Sequence, residues 1–167
     1  IGGDSAGANL SVAACLVRRD LQATPPLCGM ILNYGAFISR SSAEACRRYG
    51  GPEYMLGCEE MSLYWRNYMR SAADAEDPLV CPLLASPVGL PPAFLAIAEC
   101  DILAEQSLRM AERLQGAGVP ARSVVYPGAS HSFIEAMSVA AVSNQALADA
   151  AGWLRQAFGR AGAGAVS

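Results

Sequence analysis

The segment IGGDSAGANL, residues 1–10, decides the fold predicted for the whole chain. Within it, residues 3–7 have the G-x-S-x-G spacing of a nucleophile elbow, a sharp turn that presents a serine between a strand and a helix. We expect Gly3 and Gly7 to leave room for the backbone to crowd together around Ser5. A serine that only caps a helix after a glycine-rich turn would give the same pattern, so the motif needs support from the rest of the chain.

Apolar periodicity predicts alternating helices and strands after the elbow. The predicted helices cover residues 6–19, 59–70, 103–118 and 134–158, and the predicted strands cover residues 28–35, 93–100 and 121–128. Residues 159–167, rich in glycine and alanine, are predicted to form a flexible tail. Alternation of this kind is typical of a three-layer α/β/α domain with a mostly parallel sheet, here one domain over residues 1–167.

Residues 36–86 interrupt the alternation and are predicted to form an excursion between core strands. They look irregular apart from the helix at 59–70, whose acidic start and basic end suit the helix dipole. Tyr64, Trp65 and Tyr68 in this helix could line an acyl pocket. Their helical spacing favours ordinary packing instead.

Three polar residues lie after predicted strands: Ser5 after the strand of the elbow, Asp101 after the strand at 93–100, and His131 in the loop after the strand at 121–128. Because ligands of parallel sheets sit outside the carboxyl ends of the strands, we expect these side chains to converge. Asp101 could instead cap the next helix, with Glu99 or Glu105 supplying the carboxylate. His131 is the single histidine, and the alternative for it is a loop residue bonded to backbone. Asp4 is expected to be a structural hydrogen-bonding residue.

Composition limits the classes of partner. With 53% hydrophobic and 16% charged residues, the chain should be globular, and its net charge of -3 gives no reason to expect nucleic acid. No apolar run approaches the ~20 residues of a membrane span, which leaves a small neutral molecule as the expected partner. The six cysteines lack a C-x-x-C pair and a histidine-rich setting, so they are predicted to be reduced thiols of a cytoplasmic protein without a metal site.

Four segments of the chain carry a family resemblance: GDSAGANL (3–10), DPLVCPLLA (77–85), LPPAFLAIAECDIL (90–103) and AERLQGAGVPARSVVYPGASHSF (111–133). Together they resemble the hormone-sensitive-lipase-like esterases of the α/β-hydrolase fold. The resemblance covers nearly the whole chain and matches the C-terminal half of that fold. It implies a serine carboxylesterase or lipase-like hydrolase that cleaves small to medium acyl esters through an acyl-enzyme, with no metal or organic cofactor.

The resemblance also assigns residue roles. Ser5 matches the nucleophile, His131 the general base, Asp101 the triad acid, and the Ala6 backbone N–H one oxyanion-hole donor. Two alternatives stay open: a receptor-like relative that binds a small molecule without turnover, and a hydrolase of amides or lactones. Retention of all three triad residues argues against the receptor.

The sequence departs from the family pattern in three places. Ile102 stands where the family usually has proline, and Ser132 where it usually has glycine. The His-Gly-Gly-Gly motif that supplies the other oxyanion donors does not occur in the 167 residues. We therefore expect a piece of a longer protein, with the strand before Ser5 cut off and with low activity or none alone. A homodimer of the full-length protein is implied by resemblance only.

Overall fold

The computed structural model describes the backbone of residues 1–164 and the side-chain surroundings of residues 1–159. The strands are β1 (Gly2–Asp4), β2 (Met30–Asn33), β3 (Ala93–Cys100) and β4 (Ala121–Ser130). The helices are α1 (Ala6–Asp20), α2 (Ala43–Tyr49), α3 (Cys58–Tyr68), α4 (Ala104–Gly116) and α5 (Ala141–Gly164). Three short 3₁₀ segments lie at Ala72–Glu76, Pro82–Leu84 and Phe133–Ala136.

The four strands form one parallel sheet in the order β1-β2-β3-β4. Its central strand β3 is buried at its first six positions, as expected of an apolar run covered on both faces. The register places Asp4 beside Asn33, Asn33 beside Ala96, and Cys100 beside Ser130. The carboxyl ends of the strands therefore lie on one edge of the sheet, where β3 continues four residues beyond Ala96, the partner of the last residue of β2.

Alternate residues of β3 face two separate hydrophobic clusters. Ala93, Leu95 and Ile97 pack with buried residues of α1 and α4, including Val12 and Leu114. On the opposite face, Phe94, Ala96 and Ala98 pack with Tyr126 and with residues of α5. This period of two between helical layers is the predicted three-layer α/β/α architecture.

Some predicted boundaries were wrong. Part of the strand before Ser5 is present, because Gly2–Asp4 pairs with β2. The last helix does not start at residue 134: a 3₁₀ turn ends at Ala136, and α5 starts at Ala141. The predicted tail is helical up to Gly164, and residues 165–167 lie outside the described residues. None of the helices within residues 1–164 is long and apolar enough to cross a membrane.

The excursion holds one more helix than predicted, α2, and a disulfide. Cys46 of α2 is bonded to Cys58 at the start of α3, so the prediction that all six cysteines are reduced was wrong for this pair. This disulfide could not be predicted from spacing, because the two cysteines lie 12 residues apart and meet only when the intervening loop folds back. The other four cysteines are free thiols. The cytoplasmic location, which followed from reduced thiols, stays a prediction.

Candidate active site

Ser5 sits in the turn between β1 and α1 with a backbone conformation rare for an L-residue, φ 53° and ψ −113°. Its N–H donates to the carbonyl of Asn33, 2.9 Å away, and its own carbonyl accepts from the N–H of Ala8 at 3.1 Å. The first bond ties the strained turn to the end of β2, and the second ties it to the first turn of α1. The conformation is the one that a nucleophile elbow requires.

Only one of the two elbow glycines is required by close packing. A Cβ built on Gly3 would lie 2.5 Å from the carbonyl carbon of Gly7, so no side chain fits there. A Cβ on Gly7 would meet nothing within 4 Å among the described residues. The expectation that both glycines make space is thus met by Gly3 and not by Gly7.

The structure brings Ser5, His131 and Asp101 into one hydrogen-bonded chain. Nε2 of His131 lies 3.0 Å from Oγ of Ser5, and Nδ1 lies 2.7 Å from Oδ2 of Asp101. His131 and Asp101 are 8% and 3% exposed, so the pair is shielded from water. In this arrangement Nδ1–H donates to the carboxylate and Nε2 is left to accept from the serine hydroxyl.

The helix-capping alternative for Asp101 was wrong, because the N-cap residue of α4 is Leu103 and the helix has no side-chain cap hydrogen bond. Oδ1 of Asp101 accepts from the N–H of Leu103 at 2.9 Å, in the turn before the helix, while Oδ2 faces His131. The two oxygens thus fix both the turn into α4 and the imidazole. The alternative carboxylates lie elsewhere: Glu99 is exposed and accepts from the N–H of Gly128, and Glu105 is exposed on α4.

Ala6 is the first residue of α1, directly after Ser5. The first N–H groups of a helix have no intrahelical partner and carry the positive end of its dipole. The backbone N–H of Ala6 therefore lies where a negative oxygen next to Ser5 could accept from it. Asp4, on the other side of Ser5, accepts from Nδ2 of Asn33 at 2.7 Å and so links β1 to β2, the structural role expected for it.

A cleft of about 700 Å³ opens above the hydrogen-bonded side chains of Ser5, His131 and Asp101. It lies between the elbow, α3 and the loop that follows β4 and carries His131, which we call the histidine loop. The residues that line the cleft are Ser5, Ala6, Asn9, Leu10, Ala36, Met55, Leu56, Glu60, Met61, Tyr64, Trp65, Asn67, Tyr68, His131 and Ser132. The aromatic residues of α3 both line the cleft and pack in the interior, the two roles that the sequence left open. Trp65 is buried in the excursion's hydrophobic cluster, and Tyr64 and Tyr68 are half exposed at the cleft.

Buried polar residues that sequence reasoning missed hold the excursion against the core. Asn9 donates to the carbonyls of Ala36 and Val80 at 2.7 and 2.9 Å. Gln106 accepts from the N–H groups of Phe37 and Ile38 at 2.9 and 3.0 Å. The sequence signal that could have revealed them was a polar residue within the apolar stripe that a helix buries.

Tyr34, which follows β2, was also missed. It is 1% exposed, and its hydroxyl has no hydrogen-bond partner among the described residues. Burial raises the pKa of this phenol well above its ordinary value, so it remains protonated. No group of three or more potential metal ligands occurs in the part of the chain that the structure describes.

Comparisons with known proteins show that the chain is similar to esterases. The chain is 33% identical over 152 residues to an acetyl esterase of Salmonella choleraesuis, covering 89% of the chain and 46% of that protein. An esterase of Pyrobaculum calidifontis superposes with a TM-score of 0.84 at 30% identity, over 90% of this chain and 50% of that one.

A fungal esterase of Rhizomucor miehei gives a TM-score of 0.89 at 28% identity, over 95% of this chain and 51% of that one. The chain thus spans about half the length of the curated relatives that it matches. The predicted homodimer stays a prediction. A family model described as the α/β-hydrolase fold matches residues 1–135, and the chain belongs to that family.

Proposed function

We propose that the protein is a serine carboxylesterase of the hormone-sensitive-lipase-like type, acting on small to medium acyl esters. The observation that carries the proposal is the chain of hydrogen bonds from Ser5 through His131 to Asp101, at 3.0 and 2.7 Å, opening into one cleft. The relatives named acetyl esterase support an ester as the substrate. A serine hydroxyl is a weak nucleophile until a neighbouring imidazole accepts its proton.

The first half-reaction forms an acyl-enzyme. Nε2 of His131 takes the proton of Ser5 Oγ as that oxygen bonds to the ester carbonyl carbon, and the carbonyl π electrons move to oxygen. The N–H of Ala6 donates to the resulting oxyanion. When the carbonyl re-forms, the bond to the alcohol oxygen breaks, and His131 returns the proton to the leaving alcohol.

Water completes the cycle by the same route. His131 removes a proton from water as the water oxygen attacks the acyl carbon, and then protonates Oγ of Ser5 as the acid leaves. Asp101 stays ionised throughout, since it fixes the imidazole tautomer and stabilises the imidazolium. In each half-reaction, Nε2 of His131 accepts one proton and then donates it.

Hydrolysis of p-nitrophenyl acetate by the chain, and by its Ser5→Ala and Ser62→Ala variants, tests the proposal. Ser62 is a matched control, because its exposed hydroxyl lies on α3 and donates only to the Cys58 carbonyl at 2.8 Å. A fluorophosphonate probe, located by peptide mass spectrometry, reports activation of Ser5 independently of turnover.

We expect Ser5-dependent hydrolysis and labelling confined to Ser5, both unchanged in Ser62→Ala. Hydrolysis that persists in Ser5→Ala, or label on another residue, would overturn the assignment of the nucleophile. A folded chain that neither hydrolyses nor labels, and instead binds small esters reversibly, would establish the receptor alternative. Cleavage of p-nitroacetanilide or of a small lactone in preference to the ester would show that an amide or a lactone, and not the proposed acyl ester, is the preferred substrate.

A further inference from the structure

We propose that the α3 wall of the cleft binds an organic ammonium group, so that the preferred esters carry a positive charge in the alcohol part, with Glu60 and Tyr64 as the specificity-determining residues. This inference rests on the proposed function, since it concerns the substrate of the same cleft. It depends on three independent observations: the helix face, the charge of the cleft and the exposed aromatic rings.

The residues that α3 contributes to the cleft lie mostly on one helix face. Glu60, Tyr64 and Tyr68 follow each other at intervals of four, and Met61 and Trp65 lie one residue along from the first two. Side chains at this spacing are neighbours on the helix surface. The cleft therefore meets a row that begins with a carboxylate and continues as aromatic rings, over about 12 Å of helix.

Glu60 determines the charge of this wall. Among the described residues that line the cleft, it is the one Asp, Glu, Lys or Arg side chain. The arginines of the same region, Arg66 and Arg70, are exposed and do not line it. An ionised carboxylate without a basic neighbour in the cleft attracts a cation and repels an anionic ester.

The carboxylate is already oriented for a ligand. The hydroxyl of Tyr64 donates to Oε1 of Glu60 at 2.6 Å, which ties the carboxylate to the ring. Oε2 has no hydrogen-bond partner within the described residues. An ammonium group placed against the Tyr64 ring would meet both the negative π face and a carboxylate oxygen.

The aromatic rings are exposed to the extent that such a ligand needs. The side chains of Tyr64 and Tyr68 are 51% and 49% exposed, so a ring surface of each is open to solvent. Trp65 packs edge-on against Tyr68, with ring centroids 6.0 Å apart, and backs the row from the buried side. Met55, also exposed at the cleft, adds a polarisable apolar surface suited to alkyl groups on nitrogen.

An isosteric pair of acetate esters tests the inference. Acetylcholine and 3,3-dimethylbutyl acetate differ in a quaternary nitrogen against a carbon, so shape is matched and charge is not. We expect kcat/KM of the protein to be about tenfold higher for the cationic ester, and Glu60→Gln to bring the ratio to within about twofold of unity. Glu59→Gln is the matched control, because Glu59 lies in the same first turn of α3 but does not line the cleft.

A retained tenfold ratio in Glu60→Gln would overturn the role of Glu60. An equal drop in Glu59→Gln would overturn it as well, because the preference would then come from the general field of the helix. A ratio near one in the unaltered protein would overturn the ammonium site itself. Thermal unfolding of each variant checks that the fold is kept.

A binding measurement separates this inference from the proposed function. Choline and 3,3-dimethylbutan-1-ol each carry nine equivalent methyl protons, so saturation transfer from the protein to those protons compares them directly. Stronger saturation transfer to choline, lost in Glu60→Gln and kept in Glu59→Gln, supports the ammonium site. If this result is obtained and neither ester is hydrolysed, only the proposed function fails. Equal transfer to both alcohols overturns the site whatever the hydrolysis shows.

Discussion

The ring of Tyr34 stands edge-on to the imidazole of His131, with centroids 5.1 Å apart and planes inclined by 65°. The imidazole is hydrogen-bonded to Asp101 at Nδ1 and to Ser5 at Nε2, and the tyrosine ring adds an apolar contact beside it. The same ring packs edge-on against Phe133, with ring centroids 5.8 Å apart. The position of the imidazole thus depends on packing as well as on hydrogen bonds.

This contact predicts that the ring of Tyr34 matters and its hydroxyl does not. We expect Tyr34→Phe to leave stability unchanged or raise it by about 1 kcal/mol, because it deletes a buried hydroxyl without a partner among the described residues. Tyr34→Leu should lower stability and slow fluorophosphonate labelling of Ser5. Urea unfolding and labelling rates measure both effects, and an equal loss in the Phe variant would show that the hydroxyl has a function.

Replacing Asp101 by Asn should lower the rate of Ser5 labelling by about 10³- to 10⁴-fold with the fold intact. Because the N–H of Leu103 donates to Oδ1, the asparagine amide keeps its oxygen there and turns its NH₂ group toward Nδ1 of His131. Nδ1 must then accept, which moves the imidazole proton to Nε2 and removes the tautomer that activates Ser5. Glu99→Gln is the control, since Glu99 is exposed and bonded to the N–H of Gly128. If Glu99→Gln slowed labelling as much, Asp101 would not be the triad acid.

Gly3→Ala and Gly7→Ala should differ although both alter the same motif. A methyl group on Gly3 collides with the backbone of Gly7, which we expect to cost about 1–3 kcal/mol and to displace Ser5. On Gly7 it enters open space in a helix, where alanine is favoured by up to about 1 kcal/mol. Urea unfolding of the two variants measures the difference, and equal destabilisation would contradict this account of the elbow.

Reduction of the Cys46–Cys58 disulfide should lower stability. Opening a loop of this size costs about 2–3 kcal/mol, which corresponds to roughly 5–10 °C in Tm for a chain of this length. Thermal unfolding with and without dithiothreitol measures the loss. A variant with both cysteines changed to Ser should melt at the lower temperature and no longer respond to the reductant, whereas Cys28→Ser should respond as the unaltered protein does.

The protein should lose stability at alkaline pH. Burial raises the pKa of Cys15 and Cys81 above the ordinary 9.0, and burial raises that of Tyr34 and Tyr126 above the ordinary 10.0. A raised folded-state pKa means that the folded form holds the proton more tightly. The stabilisation is therefore complete below the ordinary pKa and is lost as the pH rises above it.

Urea midpoints between pH 7 and 11 check this expectation. We expect a flat profile to about pH 8 and a decline above pH 9 and 10 as the thiols and then the phenols of the unfolded chain ionise. Tyr126→Phe should have a shallower decline, because its phenol, bonded to Asp149 at 2.9 Å, no longer contributes. A profile that stays flat to pH 11 would contradict the shielding of these groups.

Much of the core could be predicted because short apolar segments and the residues that flank them are enough to indicate its strands. The eight residues of β3, apolar except for Glu99, follow two prolines and precede an aspartate, and this pattern predicted both a buried strand and the place of Asp101. The position of His131 followed from β4 in the same way. Parallel strands that end at one edge then bring polar residues after them into proximity.

The excursion could not be predicted to the same extent, because its structure depends on distant partners. None of the residues of α2 is buried, and the helix depends on a Ser42 cap and the disulfide, which periodicity does not reveal. The break before α5 is likewise set by packing of Phe133 and Ile134 in the core beneath the histidine loop. That Tyr64 faces the cleft while Trp65 is buried follows from how α3 docks, not from its spacing.

The hydrogen bond between Ser5 and His131 joins residues 126 positions apart in sequence. Contacts of that separation form only after the intervening segments have been ordered, because loop-closure entropy opposes them until other contacts compensate. Under the proposed function, we therefore expect Ser5 to become reactive late in folding, when β4 has joined β3. The rate at which Ser5 becomes labelled during refolding would thus report when the sheet is complete, so the candidate active site is a built-in probe of domain assembly.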